Sequence, residues 1–323
     1  MAGYLGRRVL QAAVVLWAAY TISFVILFLL PSDPVSMAAD NAAAGTTVDK
    51  AALEQLRERY GLDQPLLQQY WTSLSHAVRG DFGTSIATGR TVTDSIASAA
   101  PSTLALASTA LLLALVFGTA LAFAANYTRR DWLRNLLSSL PPLGVAVPTF
   151  WVGLILLQIF SFGVHALPAF GDKGWQTVIL PAVTLAVPTG AVIAQVLATS
   201  LRSTWRQPHV ETALAKGASR WRVQWRHVVR LGSIPAFTIA GVLVGNMLAG
   251  SVVVETVFSR AGIGRLTQTS VLAQDIPVVQ GIVVFSAAIF VLVNLAVDVA
   301  YPFIDPRIAR SVKADVEREV AHV

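Results

Sequence analysis

Six stretches of this chain are each long and apolar enough to cross a bilayer, and that repetition limits the fold more than any motif does. A helix needs about 20 residues to span the hydrocarbon of a membrane. Runs of that kind lie near Val9–Leu30, Ser102–Asn126, Leu136–Phe162, Ile179–Leu201, Pro235–Phe258 and Val279–Phe303. Inside lipid every backbone N–H and C=O must be paired within the protein, which leaves helices or a closed barrel. Segments of this length read as helices. Only 13% of the 323 residues are charged, about half the share usual in a soluble domain. The expected fold is an all-α integral membrane protein of about six transmembrane helices, with a long extracytoplasmic loop after the first. The expected organisation is a tail and first helix over 1–30, an outer loop or cap over 31–101, and a five-helix core over 102–310. A basic loop over 202–234 interrupts that core, and a tail follows over 311–323.

Basic residues set the orientation. Arg7 and Arg8, then Arg129, Arg130 and Arg134, then Arg202 to Arg230, then Arg307, Arg310, Lys313 and Arg318 all fall on one side. The short loops opposite hold Lys173, Arg260 and Arg265. Short loops rich in Lys and Arg stay in the cytoplasm, so both termini and the basic loop are expected there. Arg7-Arg8 before an apolar run could also open a secretion signal, but the run exceeds a signal core of about 7–15 residues and no small-x-small site follows before Pro31.

The outer loop carries local signals. Thr46 and Asp49 suit a helix start, with Leu53, Leu56 and Tyr60 at helical spacing behind them. Pro65 can open a second helix bearing Leu66, Tyr70, Trp71 and Leu74. Gly80, Gly83 and Gly89 read as turns. A small cap packed on the bundle is expected.

Several chemistries are excluded. There is no cysteine, hence neither disulfide nor thiolate metal site. No G-x-x-x-x-G-K-[ST] loop cradles nucleotide phosphates, and no H-E-x-x-H or G-x-S-x-G is present. All five histidines fall outside the expected spans. No cofactor is expected in this chain, and nucleic acid is not an expected partner despite the net charge of +6, because the basic residues flank apolar segments. Gln195, Asn246, Asn294 and Asp298 are the notable polar residues within spans. They form either a hydrogen-bonded clamp between helices or part of a path. Glu255, where the fifth span meets the outer surface, is either a solvated end or a residue at an outer mouth.

Between the fourth and fifth spans runs HVETALAKGASRWRVQWRHVVRLGSIPAF, from His209 to Phe237. Read as one helix, Val210, Leu214, Gly217, Trp221, Trp225 and Val228 share a face, and Arg222, Arg226 and Arg230 form a separate ridge. Such a helix either docks a cytoplasmic partner or lies on the lipid surface.

Strings along almost the whole chain resemble the membrane-spanning subunit of ATP-binding-cassette importers for dipeptides and oligopeptides, a family that includes nickel importers. They are Pro31-Ser-Asp-Pro34, Tyr60 to Pro65, Arg79 to Ser85, VPTFWVG from Val147, ILPAVTLAVP from Ile179, ETALAKGAS from Glu211, VVVETVFSRAGIGRL from Val252, PVVQG from Pro277 and Asp305-Pro-Arg307. The resemblance implies a type I importer permease in a bacterial inner membrane, paired with a homologous second permease. Two cytoplasmic ATPase subunits would supply ATP and Mg, an extracytoplasmic binding protein would deliver peptide, and membrane lipid would surround the bundle. It also implies that Glu211, Ala213, Ala215, Lys216, Gly217 and Ser219 couple to the ATPases. Thr212 departs from the family's central alanine, and Pro235 lies farther beyond Gly217 than in sugar importers. Glu255, Gly262 and Gly264 would then lie near the binding-protein contact, although Gly262-Ile-Gly264 also reads as a plain turn. A nickel importer, or a scaffold that docks a cytoplasmic partner without transporting, remains the alternative.

Overall fold

The computed structural model describes residues 2–29 and 65–304. The cap signals at Thr46 to Gln64, the Asp305-Pro-Arg307 ending and the tail lie outside the described residues, as does the side chain of Asp298. Among the described residues the architecture is all helical: α1 (Ala2–Leu29), α2 (Leu66–Val78), α3 (Val92–Tyr127), α4 (Asp131–Ala146), α5 (Thr149–Leu156), α6 (Gln176–Trp205), α7 (Pro208–Ala215), α8 (Arg220–Val223), α9 (Val229–Gly232), α10 (Ile234–Val257), α11 (Ile263–Leu272) and α12 (Ile276–Ile304). A π-helical segment, Leu157–Gly163, continues α5, and another, Gln224–Val228, joins α8 to α9.

By length and composition α1, α3, α6, α10 and α12 can each cross a membrane. The third expected span is not one rod. It is split into α4 and the α5 segment, bent by 104°. The break falls at Val147-Pro148, where Val147 is extended and Pro148 opens the next helix. Proline drives the residue before it out of the helical region and supplies no N–H. The second span also differs. It starts at Val92, inside the stretch assigned to the outer loop, and runs for 36 residues.

Contacts divide the chain into two units, Met1–Ala105 with Ser251–Val291 and Leu106–Gly250 with Leu292–Val323. In the first, α2 packs on α1. The Tyr70 hydroxyl lies 2.8 Å from Thr21 Oγ1, and its ring meets Phe24 edge-on at 5.3 Å. After α2 the chain turns at Gly80, Gly83 and Gly89, all at positive φ. Asp81 accepts the Gly83 N–H at 2.9 Å and sits 3.2 Å from His76 Nδ1. Those two bonds hold its carboxyl below the ordinary carboxylate range. Val92, Ile96, Ile263, Val278 and Ile282 form the apolar core of this unit.

In the second unit α6 is the central helix, with buried residues around most of its circumference. The α4 and α5 helices pack on it. Its C-terminal end carries Leu197, Ala198 and Leu201, which form a core with Val210, Val223 and Val228 of the basic loop.

Candidate functional site

The basic loop is two short helical pieces, not one. Gln207 is extended and Pro208 starts α7 at the position where a missing N–H costs nothing. The α7 helix ends in a Schellman turn: Gly217 N–H donates to Leu214 O at 2.9 Å and Ala218 N–H to Ala213 O at 3.2 Å. Gly217 takes φ +81°, a conformation that side chains with a Cβ resist. Ser219 then caps α8 by accepting the Arg222 N–H.

This break changes the phase of the helix, so the single expected face does not exist. Val210, Val223 and Val228 are buried, but Trp221 is 68% and Trp225 49% exposed. Trp221 meets Trp225 edge-on, and Trp225 stacks on Phe123 with centroids 5.4 Å apart. Glu211, Ala215, Lys216, Gly217 and Ser219 are exposed, and Ala213 is half-buried against the core. A Cβ built on Gly217 meets nothing within 4 Å. The glycine is therefore required by its own backbone angle rather than by a neighbour in this chain. Arg202, Arg206, Arg220, Arg222, Arg226 and Arg230 are all exposed.

Sequence reasoning missed Gln224. It is fully buried in the π-helical segment, and neither its Oε1 nor its Nε2 has a hydrogen-bond partner among the described residues. A polar residue between Val223 and Trp225 gave no sign of burial, because burial followed from the break at Gly217.

A second constellation lies at the other end of α10. Glu255 is fully buried, which rules out the first of its two sequence readings, a solvated helix end. Its carboxylate accepts from Thr103 Oγ1 at 2.6 Å and from the Arg265 N–H at 3.1 Å, and also from the Gly264 N–H. The Ile263 N–H donates in turn to Thr103 Oγ1 at 2.7 Å. Glu255 thus satisfies the orphan N–H groups at the start of α11, where the helix dipole also favours a negative charge. Arg260 is buried beside it and donates to Ser102 Oγ at 3.0 Å. A Cβ on Gly262 would collide with the Glu255 carboxylate, and one on Gly264 would lie 2.6 Å from the Val252 backbone. Gly262 has φ −113°, so close approach, not a turn, demands it. Glu255, Gly262 and Gly264 are all buried, and together they hold α11 in place.

Asp275, which sequence reasoning also missed, ties the turn after α2 to the junction of α11 and α12. It accepts from Ser85 Oγ at 2.5 Å and from the N–H groups of Ile86 and Ala87 at 3.2 and 3.3 Å. Among the described polar residues within spans, Gln195, Asn246 and Asn294 sit on three different helices. Gln195 and Asn246 are exposed on α6 and α10, and Asn294 on α12 is half-buried with its Oδ1 against Gly241.

Several helices long and apolar enough to cross a membrane, one of them carrying a docked and exposed basic loop, are the build of a transporter's membrane subunit. The chain belongs to the family described as binding-protein-dependent transport system inner membrane component. That family's model matches residues 114–310, and the model of its N-terminal part matches residues 1–107. It is a multi-pass inner-membrane permease subunit of an ABC importer. Its curated relatives include the glutathione transport system permease protein GsiC of Escherichia coli (strain K12), 37% identical over 308 residues, covering 95% of this chain and 99% of that protein. GsiC of Salmonella typhimurium (strain LT2) matches with the same identity and coverage. Among solved structures, an amino acid ABC transporter with histidines aligns at a TM-score of 0.49 and 17% identity, covering 67% of this chain and 94% of that one.

Proposed function

We propose that this permease carries small peptides inward, as one half of a translocation path built with a second, homologous permease. The observation that carries the reading is the 37% identity to a glutathione permease across 95% of the chain, because glutathione is itself a tripeptide. An extracytoplasmic binding protein delivers the substrate, and ATP with Mg is consumed on two cytoplasmic ATPase chains. Both termini and the basic loop face those ATPases.

Support for coupling at the basic loop is geometric. Glu211, Ala215, Lys216, Gly217 and Ser219 line an exposed ridge, while Val210, Val223 and Val228 fix the loop to α6. A push on the ridge therefore reaches a spanning helix through packed side chains. The test is uptake of labelled di- to pentapeptides, glutathione included, into vesicles carrying the full complex with ATP inside. ATP-dependent uptake of at least one peptide, unaffected by excess nickel ion, is the expected result. Uptake of nickel and of no peptide would overturn the substrate reading.

A further inference from the structure

A pocket of about 300 Å³ opens between α3, α4 and α6, with Leu121, Ala122 and Ala125 of α3 as its apolar side, at the small end of the roughly 300–1,000 Å³ typical of ligand sites. One wall is a polar stripe on α6. Gln195, Thr199 and Arg202 recur at i, i+4 and i+7 and are all exposed, although α6 is otherwise the most buried of the spans. Arg202 alone could be a basic residue reaching for the headgroups from the last helical turn. Gln195 lies about 10 Å deeper along the axis, two turns into the span, and polar groups at that depth face a path or a partner rather than lipid.

The opposite wall is α4, with Leu137, Ser138, Pro141 and Pro142. Two consecutive prolines inside a helix bring no N–H to the carbonyls of Leu137 and Ser138. In a membrane helix such carbonyls are tolerated where a water-filled cavity or another donor meets them. The pocket therefore sets acceptors on one wall against amide, hydroxyl and guanidinium donors on the other. A bare metal ion fits poorly beside Arg202. A peptide main chain, with its own N–H groups, carbonyls and terminal carboxylate, complements both walls.

Resting on the peptide-importer reading, we propose that this pocket is a station on the translocation path that holds a peptide by its main chain, with Arg202 taking the terminal carboxylate. Recognition of this kind ignores side chains and suits a path that follows selection elsewhere. It also connects to the drive. Leu197 and Leu201 lie on the face of α6 opposite Gln195 and Thr199 by the helical period, and they pack against Val210, Val223 and Val228 of the basic loop. Movement of the loop thus turns or shifts the helix that forms the donor wall.

The chain has no cysteine, so Thr199→Cys gives a single reporter. In the full complex, reconstituted in vesicles, trialanine is expected to slow labelling of that cysteine by a small thiol reagent. The C-terminal amide of trialanine should protect less well. Adding Arg202→Gln should raise the trialanine concentration needed for protection by about tenfold and leave the amide's unchanged, as expected for one charge-assisted hydrogen bond. Unslowed labelling while any peptide is taken up by the same vesicles overturns the station and leaves the peptide-importer reading intact. Equal weakening of both probes by Arg202→Gln overturns the carboxylate role. Absence of uptake for every peptide removes the substrate reading and the station with it.

Discussion

The Thr103 hydroxyl donates to the Glu255 carboxylate at 2.6 Å across 152 positions of sequence. The same oxygen accepts the Ile263 N–H, so one threonine joins α3, α10 and the start of α11. Removing Glu255 strands the buried Thr103 hydroxyl and the N–H groups of Gly264 and Arg265 that its carboxylate accepts from, and each buried group left unsatisfied costs about 1–3 kcal/mol. Glu255→Ala should therefore lower the yield of monodisperse protein and its thermal midpoint. Gly262→Ala should do the same by overpacking, at about 1–3 kcal/mol. Thermal unfolding in detergent measures both. Wild-type stability in either variant would show that the junction carries no strain-sensitive contact.

Gly217 separates two roles for the basic loop. Asparagine adopts positive φ more readily than most residues. If the glycine serves only the turn, Gly217→Asn keeps uptake. If the ATPase closes on its bare backbone, both Gly217→Asn and Gly217→Asp abolish ATPase co-purification and uptake while membrane abundance stays normal. The second outcome is expected, since space within 4 Å of Gly217 is empty in this chain. Arg222→Glu, on the solvated ridge, should change uptake much less.

Gln224 offers a stability–function trade. Its buried amide has no partner among the described residues, and an unsatisfied group of that kind costs about 1–3 kcal/mol. Gln224→Leu should raise the thermal midpoint. It should also lower transport if the π-helical segment has to rearrange as the loop moves, since such segments recur at functional sites. A more stable permease with undiminished uptake would assign Gln224 no working role.

Topology can be read with single cysteines at exposed positions. An impermeant reagent applied to intact cells should label Thr88→Cys and Lys173→Cys and spare Lys216→Cys until the membrane is opened. Labelling of Lys216→Cys in intact cells would reverse the orientation assigned from the basic residues.

Five spans were legible because composition and length alone decide their existence, but the start of the second at Val92 and the break of the third at Pro148 were not. The turns at Gly80, Gly83 and Gly89 were legible because glycine marks positive φ. The coupling loop was misread as one helix because an amphipathic period continues formally through Gly217, while the Schellman turn there resets the phase. Ser259 and Gln274 reach positive φ without being glycine, so the ends of α10 and α11 carried no punctuation. Asp275 was overlooked because its partners, Ser85 to Ala87, lie 188 to 190 residues away. The burial of Glu255 was not legible because its partner, the start of α11, follows in a loop that reads as polar.

The kink at Pro148 bears on arithmetic of another sort. The 16 residues of α4 reach about 24 Å, short of the roughly 30 Å of hydrocarbon, and α5 with its π-helical extension is no longer. Neither limb traverses the bilayer by itself. If the two limbs together count as one traverse, the total is even, and the arginines at the start of α1 share a face with those of the basic loop. If the limbs dip in and return, the total is odd and every later arginine changes sides. One proline thus sets the parity on which the orientation expected from the basic residues depends.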